Sequence, residues 1–178
     1  SILNVDSNIH LWGLGCANNK LQELNLNNNT ELYTVRCGDN QLTTLDVSKN
    51  PALGELRCDN NKLKELDLSN NAKLRKLSCS GNDWVSLDVT NNPQLQELWC
   101  QDIRLKTLDL SKNPLLEFAT FMDSDFTTLD VSNNPKLQKL YVVNTQLKEL
   151  DVSNNLDLEV LNCSGNQLTE LDVSKNTK

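Results

Sequence analysis

Apolar residues return along this chain in a frame of 21 positions that does not slip. One column is Leu11, Leu32, Leu53, Leu74, Leu95, Leu116, Leu137 and Leu158. Beside it run Leu14, Val35, Leu56, Leu77, Leu98, Ala119, Leu140 and Leu161. Next come Cys16, Cys37, Cys58, Cys79, Cys100, Phe121, Val142 and Cys163. A further leucine column spans Leu24, Leu45, Leu66, Leu87, Leu108, Leu129, Leu150 and Leu171. Asparagine keeps the same step without a break from Asn8 through Asn29, Asn50, Asn71, Asn92, Asn113, Asn134 and Asn155 to Asn176. Fixed-period self-similarity of this kind predicts a repeat architecture.

The unit reads N-P-x-L-x-x-L-x-C-x-x-N-x-L-x-x-L-D-V-S-x. Its L-x-C and L-D-V stretches alternate apolar and polar positions, the period of a short strand. Asparagines suit the corners, because their side chains bond nearby backbone where ladder partners are missing. One coil cannot bury its leucines alone; stacked coils make a continuous core. About eight coils at a strand spacing of ~4.8 Å predict a rod or shallow arc of roughly 40 Å. The short unit leaves room for very little helix. The expected architecture is a parallel sheet on one face, with short strands, 3₁₀ turns or extended segments on the other.

The hexamer Leu56-Arg57-Cys58-Asp59-Asn60-Asn61 resembles the leucine-rich-repeat signature L-x-L-x-x-N. That places the chain among leucine-rich-repeat solenoids, the α/β horseshoe class. The 21-residue length and the cysteine in the second apolar slot are similar to bacterial internalins, in particular the internalin J branch with its cysteine ladder. The tail from Leu171 to Thr177 resembles that branch too. The resemblance implies a surface-exposed or secreted bacterial protein that adheres to host molecules, other cells or polysaccharides. Residues 1–178 read as one leucine-rich-repeat domain. The repeat opens and closes in mid-coil without caps, so a segment of a longer chain is expected.

Stacked cysteines raise the possibility of disulfides or a metal site. Phe121 and Val142 share their column, so the slot accepts any apolar group. In-register parallel side chains do not readily offer the ~90° disulfide torsion. Buried free thiols, packing as small hydrophobes, are the expected state. Asp46, Asp67, Asp88, Asp109, Asp130, Asp151 and Asp172 form an outward column, extended by Asn4 and Asn25. Ser or Thr follows two residues on, which favours a local turn bond over calcium binding.

A repeat is most informative where it departs from its own rule. Coils five to seven replace the cysteine with Phe121 and Val142, and the corner asparagine with Ile103, Ser124 and Thr145. Strand alternation turns Trp99, Gln101, Phe118, Thr120, Met122, Tyr141 and Val143 to the outer sheet face. An exposed aromatic patch of this kind marks a binding site. Its aromatic rings also suit stacking on sugars. Arg36 and Arg57 add a cationic end. The alternative is local drift, with large residues merely repacking. Phe121, Phe126 and Trp84 do fall in core columns, and Trp12 belongs to the first coil, where it could cover an open end.

Composition narrows the function further. The formal net charge of −7 disfavours nucleic acid and anionic lipid as partners. No run of about 18 apolar residues occurs, so no membrane insertion is expected. The single histidine, His10, has no nucleophile to serve, and the regular aspartates lack the unequal environments of an acid–base pair. The expectation is a non-catalytic binding module, monomeric and extracellular or on the bacterial cell surface, without cofactor or metal. Its ligand would be a protein or polysaccharide held on the sheet face. A structural spacer and an intracellular scaffold are the alternatives.

Overall fold

A computed structural model describes all residues, 1–178. Ten short strands follow one another: β1 (Ile2–Leu3), β2 (Gly13–Gly15), β3 (Glu23–Leu24), β4 (Thr34–Arg36), β5 (Glu55–Arg57), β6 (Lys76–Ser78), β7 (Glu97–Trp99), β8 (Phe118–Thr120), β9 (Lys139–Tyr141) and β10 (Val160–Asn162). No helix is present. Eight strands form one parallel sheet in the order β2-β4-β5-β6-β7-β8-β9-β10. Each residue pairs with its equivalent one coil away, as Leu56 does with Leu77. On the opposite face only β1 and β3 pair, also in parallel. The remaining turns there are extended segments and tight bends.

The core is the set of apolar columns. A single cluster of 42 buried residues runs the length of the stack. Leu56, Leu77, Leu98, Cys58, Cys79 and Cys100 are fully buried within it. Burying one such leucine stabilises by about 1.5–3 kcal/mol, and every coil lends several. Phe121, Phe126 and Trp84 pack as core residues. All six cysteines are unpaired thiols. Burial, reinforced by the neighbouring Cys16 and Asp59, pushes the Cys37 thiol up to about 12. The Cys79 thiol, hydrogen-bonded to Cys100 across 3.4 Å and buried, is raised well above its ordinary value. These groups stay protonated and pack as hydrophobes.

Two asparagine columns tie coil to coil. Asn40 Nδ2 donates to the carbonyls of Cys16, Cys37 and Gly38, while its Oδ1 accepts from the Leu21 amide at 2.9 Å. Asn61 and Asn82 repeat this set one and two coils on. In the second column Asn50 Nδ2 donates to Leu26 and Asn29 carbonyls. Corner chemistry of this type replaces the ladder bonds that a bend removes.

A third column was not read from the sequence. Asn18, Asp39, Asn60, Gly81, Asp102, Asp123, Asn144 and Gly165 all adopt positive φ, from 51° to 73°. Only residues that tolerate the left-handed region occur there. Asn60 Nδ2 donates to Asp39 Oδ1 at 2.9 Å, and its own Oδ1 lies where a Cβ on Gly81 would sit, 2.2 Å away. The same joint recurs as Asp123, Asn144 and Gly165.

Candidate functional site

Sheet alternation sends every second strand residue outward, and the irregular coils fill those positions with rings. Trp99 on β7 packs against Phe118 on β8 with centroids 5.0 Å apart and planes inclined by 37°. Phe118 meets Tyr141 on β9 at 5.9 Å and 42°. The three rings make a zigzag ridge across three adjacent strands, Trp99 and Tyr141 level with Thr120 and Phe118 two residues before it, and each is half-buried. Both pairs are tilted, within the roughly 4.5–7 Å separation at which aromatic pairs attract one another. Met122 and Val143 flank the ridge, also half-buried.

Thr120 departs from expectation. Register places it between Trp99 and Tyr141, yet only 1% of it remains exposed. Its small side chain is covered, and its hydroxyl accepts from Gln101 Nε2 at 3.1 Å. It therefore steadies Gln101 instead of meeting a ligand. A polar chain continues from there: the Gln101 amide donates to Ser80 Oγ, and Asp59 Oδ1 accepts from Ser78 Oγ and the Ser80 amide.

Arg36 and Arg57 stand at the other end of the face, but neither is a free cation. Both bond the single carboxylate of Glu55, Arg57 Nε at 2.7 Å and Arg36 Nε at 3.1 Å. Partial burial pushes the Glu55 carboxyl up, and the two arginines outweigh it, holding the group below its usual value. The Arg57 guanidinium also lies 5.9 Å from the Trp99 ring centre, a cation–π contact. Arg57 thus caps the ridge at its first ring. Lys76 and Glu97 pair at 2.7 Å on the neighbouring strands.

The aspartate column lies on the opposite face. Asp67 accepts from the Ser69 amide at 2.9 Å, and Asp88 from both amide and hydroxyl of Thr90. Hydrogen bonds from Ser69, its hydroxyl first, keep Asp67 below the ordinary carboxyl value; for Asp46 the Ser48 amide leads. One oxygen of each carboxylate is committed to its own turn, as the spacing of Ser and Thr predicts.

A second aromatic pair escaped sequence reading. Trp12 and Tyr33 stack at 5.3 Å with planes 12° apart, and Tyr33 lies over Gly54, where a Cβ would meet its ring at 2.3 Å. The signal was present: Trp12, Tyr33 and Gly54 share one column. Trp12 is exposed, and His10 contacts Glu31 at 3.1 Å on the same side.

A Leucine Rich repeat family profile matches residues 59–75. No curated protein sequence matches the chain. Among solved structures, the functional domain of InlJ from Listeria monocytogenes, which includes a cysteine ladder, is 32% identical, with a TM-score of 0.62; the match covers 99% of this chain and 49% of that one. A leucine-rich-repeat protein of Leptospira interrogans has TM-score 0.83 at 24% identity, covering 89% of this chain and 44% of that one. Internalin C2 from Listeria monocytogenes has TM-score 0.81 at 16% identity, covering 97% and 79%. The chain spans about half the length of the first two. Repeat length, cysteine ladder and solenoid together make this chain an internalin-like leucine-rich-repeat protein.

Proposed function

We propose that the chain is a non-catalytic binding module of a bacterial surface or secreted protein, and that it holds a protein ligand on the Trp99–Phe118–Tyr141 ridge. The observation that carries this reading is the ridge itself: three half-buried rings packed on one another across neighbouring strands of the outer sheet face, flanked by Met122 and Val143. Rigid aromatic anchors of this type supply large contact area at low entropic cost. Their mutual packing favours a protein over a polysaccharide. Sugar stacking needs a bare ring face, whereas here Trp99 has Phe118 and Arg57 against it. Ring edges offer clefts for apolar side chains instead. The likeness to internalins supports a location outside the bacterial cell.

The test is ligand capture from surface-exposed host and bacterial proteins, followed by binding measurements with Trp99→Ala and Tyr141→Ala. A ligand that loses ten-fold or more in affinity for both variants supports the ridge, since each central anchor is worth about 2 kcal/mol or more. A ligand indifferent to both would assign binding to another face. Capture of no ligand by the native chain would favour a spacer.

A further inference from the structure

We propose that the partner segment seated on the ridge is basic as well as apolar, and that its cations are received by an acidic rim formed by Asp59, Asp102 and Asp123. The inference rests on the ridge being the binding face, and it names the chemistry of what binds there.

The argument begins with where charge stands around the rings. Immediately past the strands, the rim of coils two to six carries Asp39, Asp59, Asp83, Asp102, Asp123 and Asp125 against only Lys62 and Arg104. Asp59 is half-buried with Trp99 and Gln101 in the same concavity, which Asp39 and Asp102 also line. Asp102 and Asp123 occupy successive rungs and are exposed. Asp102 follows Gln101 directly, so its carboxylate borders the ridge. The positive-φ turn fixes the backbone of both residues, so the carboxylates are presented by a stiff corner rather than a floppy loop.

Most cations on the same face are engaged: Arg36 and Arg57 share Glu55, and Lys76 pairs with Glu97. Lys139, exposed beside Phe118, pairs with no carboxylate, but it opens β9, whereas the rim follows the other end of the strands. The rim acids are not paired with cations: Asp123 accepts one amide hydrogen from Asn144, and Asp59 uses Oδ1 for Ser78 and Ser80, so each keeps its second oxygen to accept more. Charge complementarity across an interface steers encounter and fixes register. A segment laid along the stack that carries both apolar residues and Lys or Arg would set the apolar side chains on the rings and swing its long cationic side chains sideways to the rim. An acidic segment would meet repulsion along the same path.

The test uses the whole chain and a matched pair of fluorescent peptides of equal length, one alternating leucine with lysine, the other leucine with glutamate. Fluorescence polarisation should report binding of the lysine peptide alone, weakened steeply by salt. Trp99→Ala should abolish it. The double variant Asp102→Asn, Asp123→Asn should weaken it about ten-fold and flatten the salt dependence. Folding of that variant is expected to be normal, because asparagine already occupies the column at Asn18, Asn60 and Asn144. The double variant Asp67→Asn, Asp130→Asn on the opposite face should bind like the native chain. Equal binding of the two peptides, or an unchanged affinity in the rim variant while Trp99→Ala still abolishes binding, overturns the basic partner and leaves the ridge standing. Equal loss from the opposite-face variant reduces the effect to general charge and also overturns it. Binding untouched by Trp99→Ala overturns the ridge and the rim together, as does no binding of either peptide combined with failure of the capture experiment.

Discussion

Coils two to four and coils five to seven are built on one frame and use it differently. In the first group each corner asparagine closes four hydrogen bonds, and the outer sheet face is occupied by charges and small polar groups. In the second group the corners are Ile103, Ser124 and Thr145, and the sheet face carries rings. Ile103 donates nothing, so Trp84 Nε1 takes over the Cys79 carbonyl at 2.8 Å. Ser124 reaches the Met122 carbonyl and accepts from the Ile103 amide at 3.4 Å, and Thr145 donates to Asn166. The amides of Leu105 and Phe126 lose the side-chain acceptor that Leu21, Leu42 and Leu63 enjoy. The coils that carry the candidate site are therefore the ones with the thinner corner ladder. Under the proposed function, stability and recognition would draw on the same rungs and trade at the irregular ones.

The contrast can be broken most forcefully at a regular corner. Asn61→Ala removes three donated bonds and one accepted bond in buried surroundings, and should destabilise by about 2–4 kcal/mol. Thr145→Ala, its counterpart in the irregular group, should cost only about 1 kcal/mol. Urea unfolding of the two variants decides; equal losses would show that the ladder is not thinner where the rings are.

Gly81→Ala comes next. Its φ of 61° and the crowding by Asn60 Oδ1 should cost about 1–2 kcal/mol. Gly38→Ala, where the added Cβ meets the Asp59 carbonyl at 3.3 Å in an ordinary backbone region, should cost less. The reverse order in thermal melts would sink the joint between Asn60 and Gly81 as a constraint.

Ile103→Asn should run the other way, adding about 0.5–1 kcal/mol by restoring donors to the Cys100 and Gln101 carbonyls. A drop in melting temperature would mean that the buried isoleucine matters more than the missing bonds.

The smallest effect concerns acid. Asp46, Asp67, Asp109, Asp130, Asp151 and Asp172 have carboxyls held below the usual value in the folded state, so their contribution is present above pH ~4 and fades as pH falls through the lowered folded values. Melting temperature should decline below about pH 4, and Asp67→Asn should flatten that decline slightly. Because the column spans both groups of coils, Asp67→Asn and Asp130→Asn should behave alike.

Sequence reasoning reached the coil length, the buried thiols, the core roles of Phe121, Phe126 and Trp84, and the ring-bearing face, because each is a column and columns survive stacking unchanged. It misplaced Thr120. Alternation says which way a side chain points and nothing about what neighbours lay over it. It also treated Arg36 and Arg57 as open cations, since Glu55 lies in a different column and its reach across the strand is a matter of side-chain geometry. The positive-φ corners were hidden because Asn, Asp and Gly differ as letters while sharing one backbone tolerance. Tyr33 over Gly54 was missed for a similar reason: the glycine reads as a gap until the ring fills it.

The joint of Asp39, Asn60 and Gly81 returns as Asp123, Asn144 and Gly165 after 84 residues, four coils later. The neighbouring text returns with it: Thr43-Thr44-Leu45-Asp46-Val47-Ser48 reappears at Thr127 to Ser132, and Cys79-Ser80-Gly81-Asn82 at Cys163 to Asn166. The rod is thus modular at two scales, with the larger module bounded by a lock whose halves are interchangeable. Excision of residues 60–143 would bring Asn144 onto Asp39 and rebuild the same lock. The removed block contains Trp99, Phe118 and Tyr141, so the rod could lose its ring-bearing coils, or gain a second set by duplication of the same block, without a new seam.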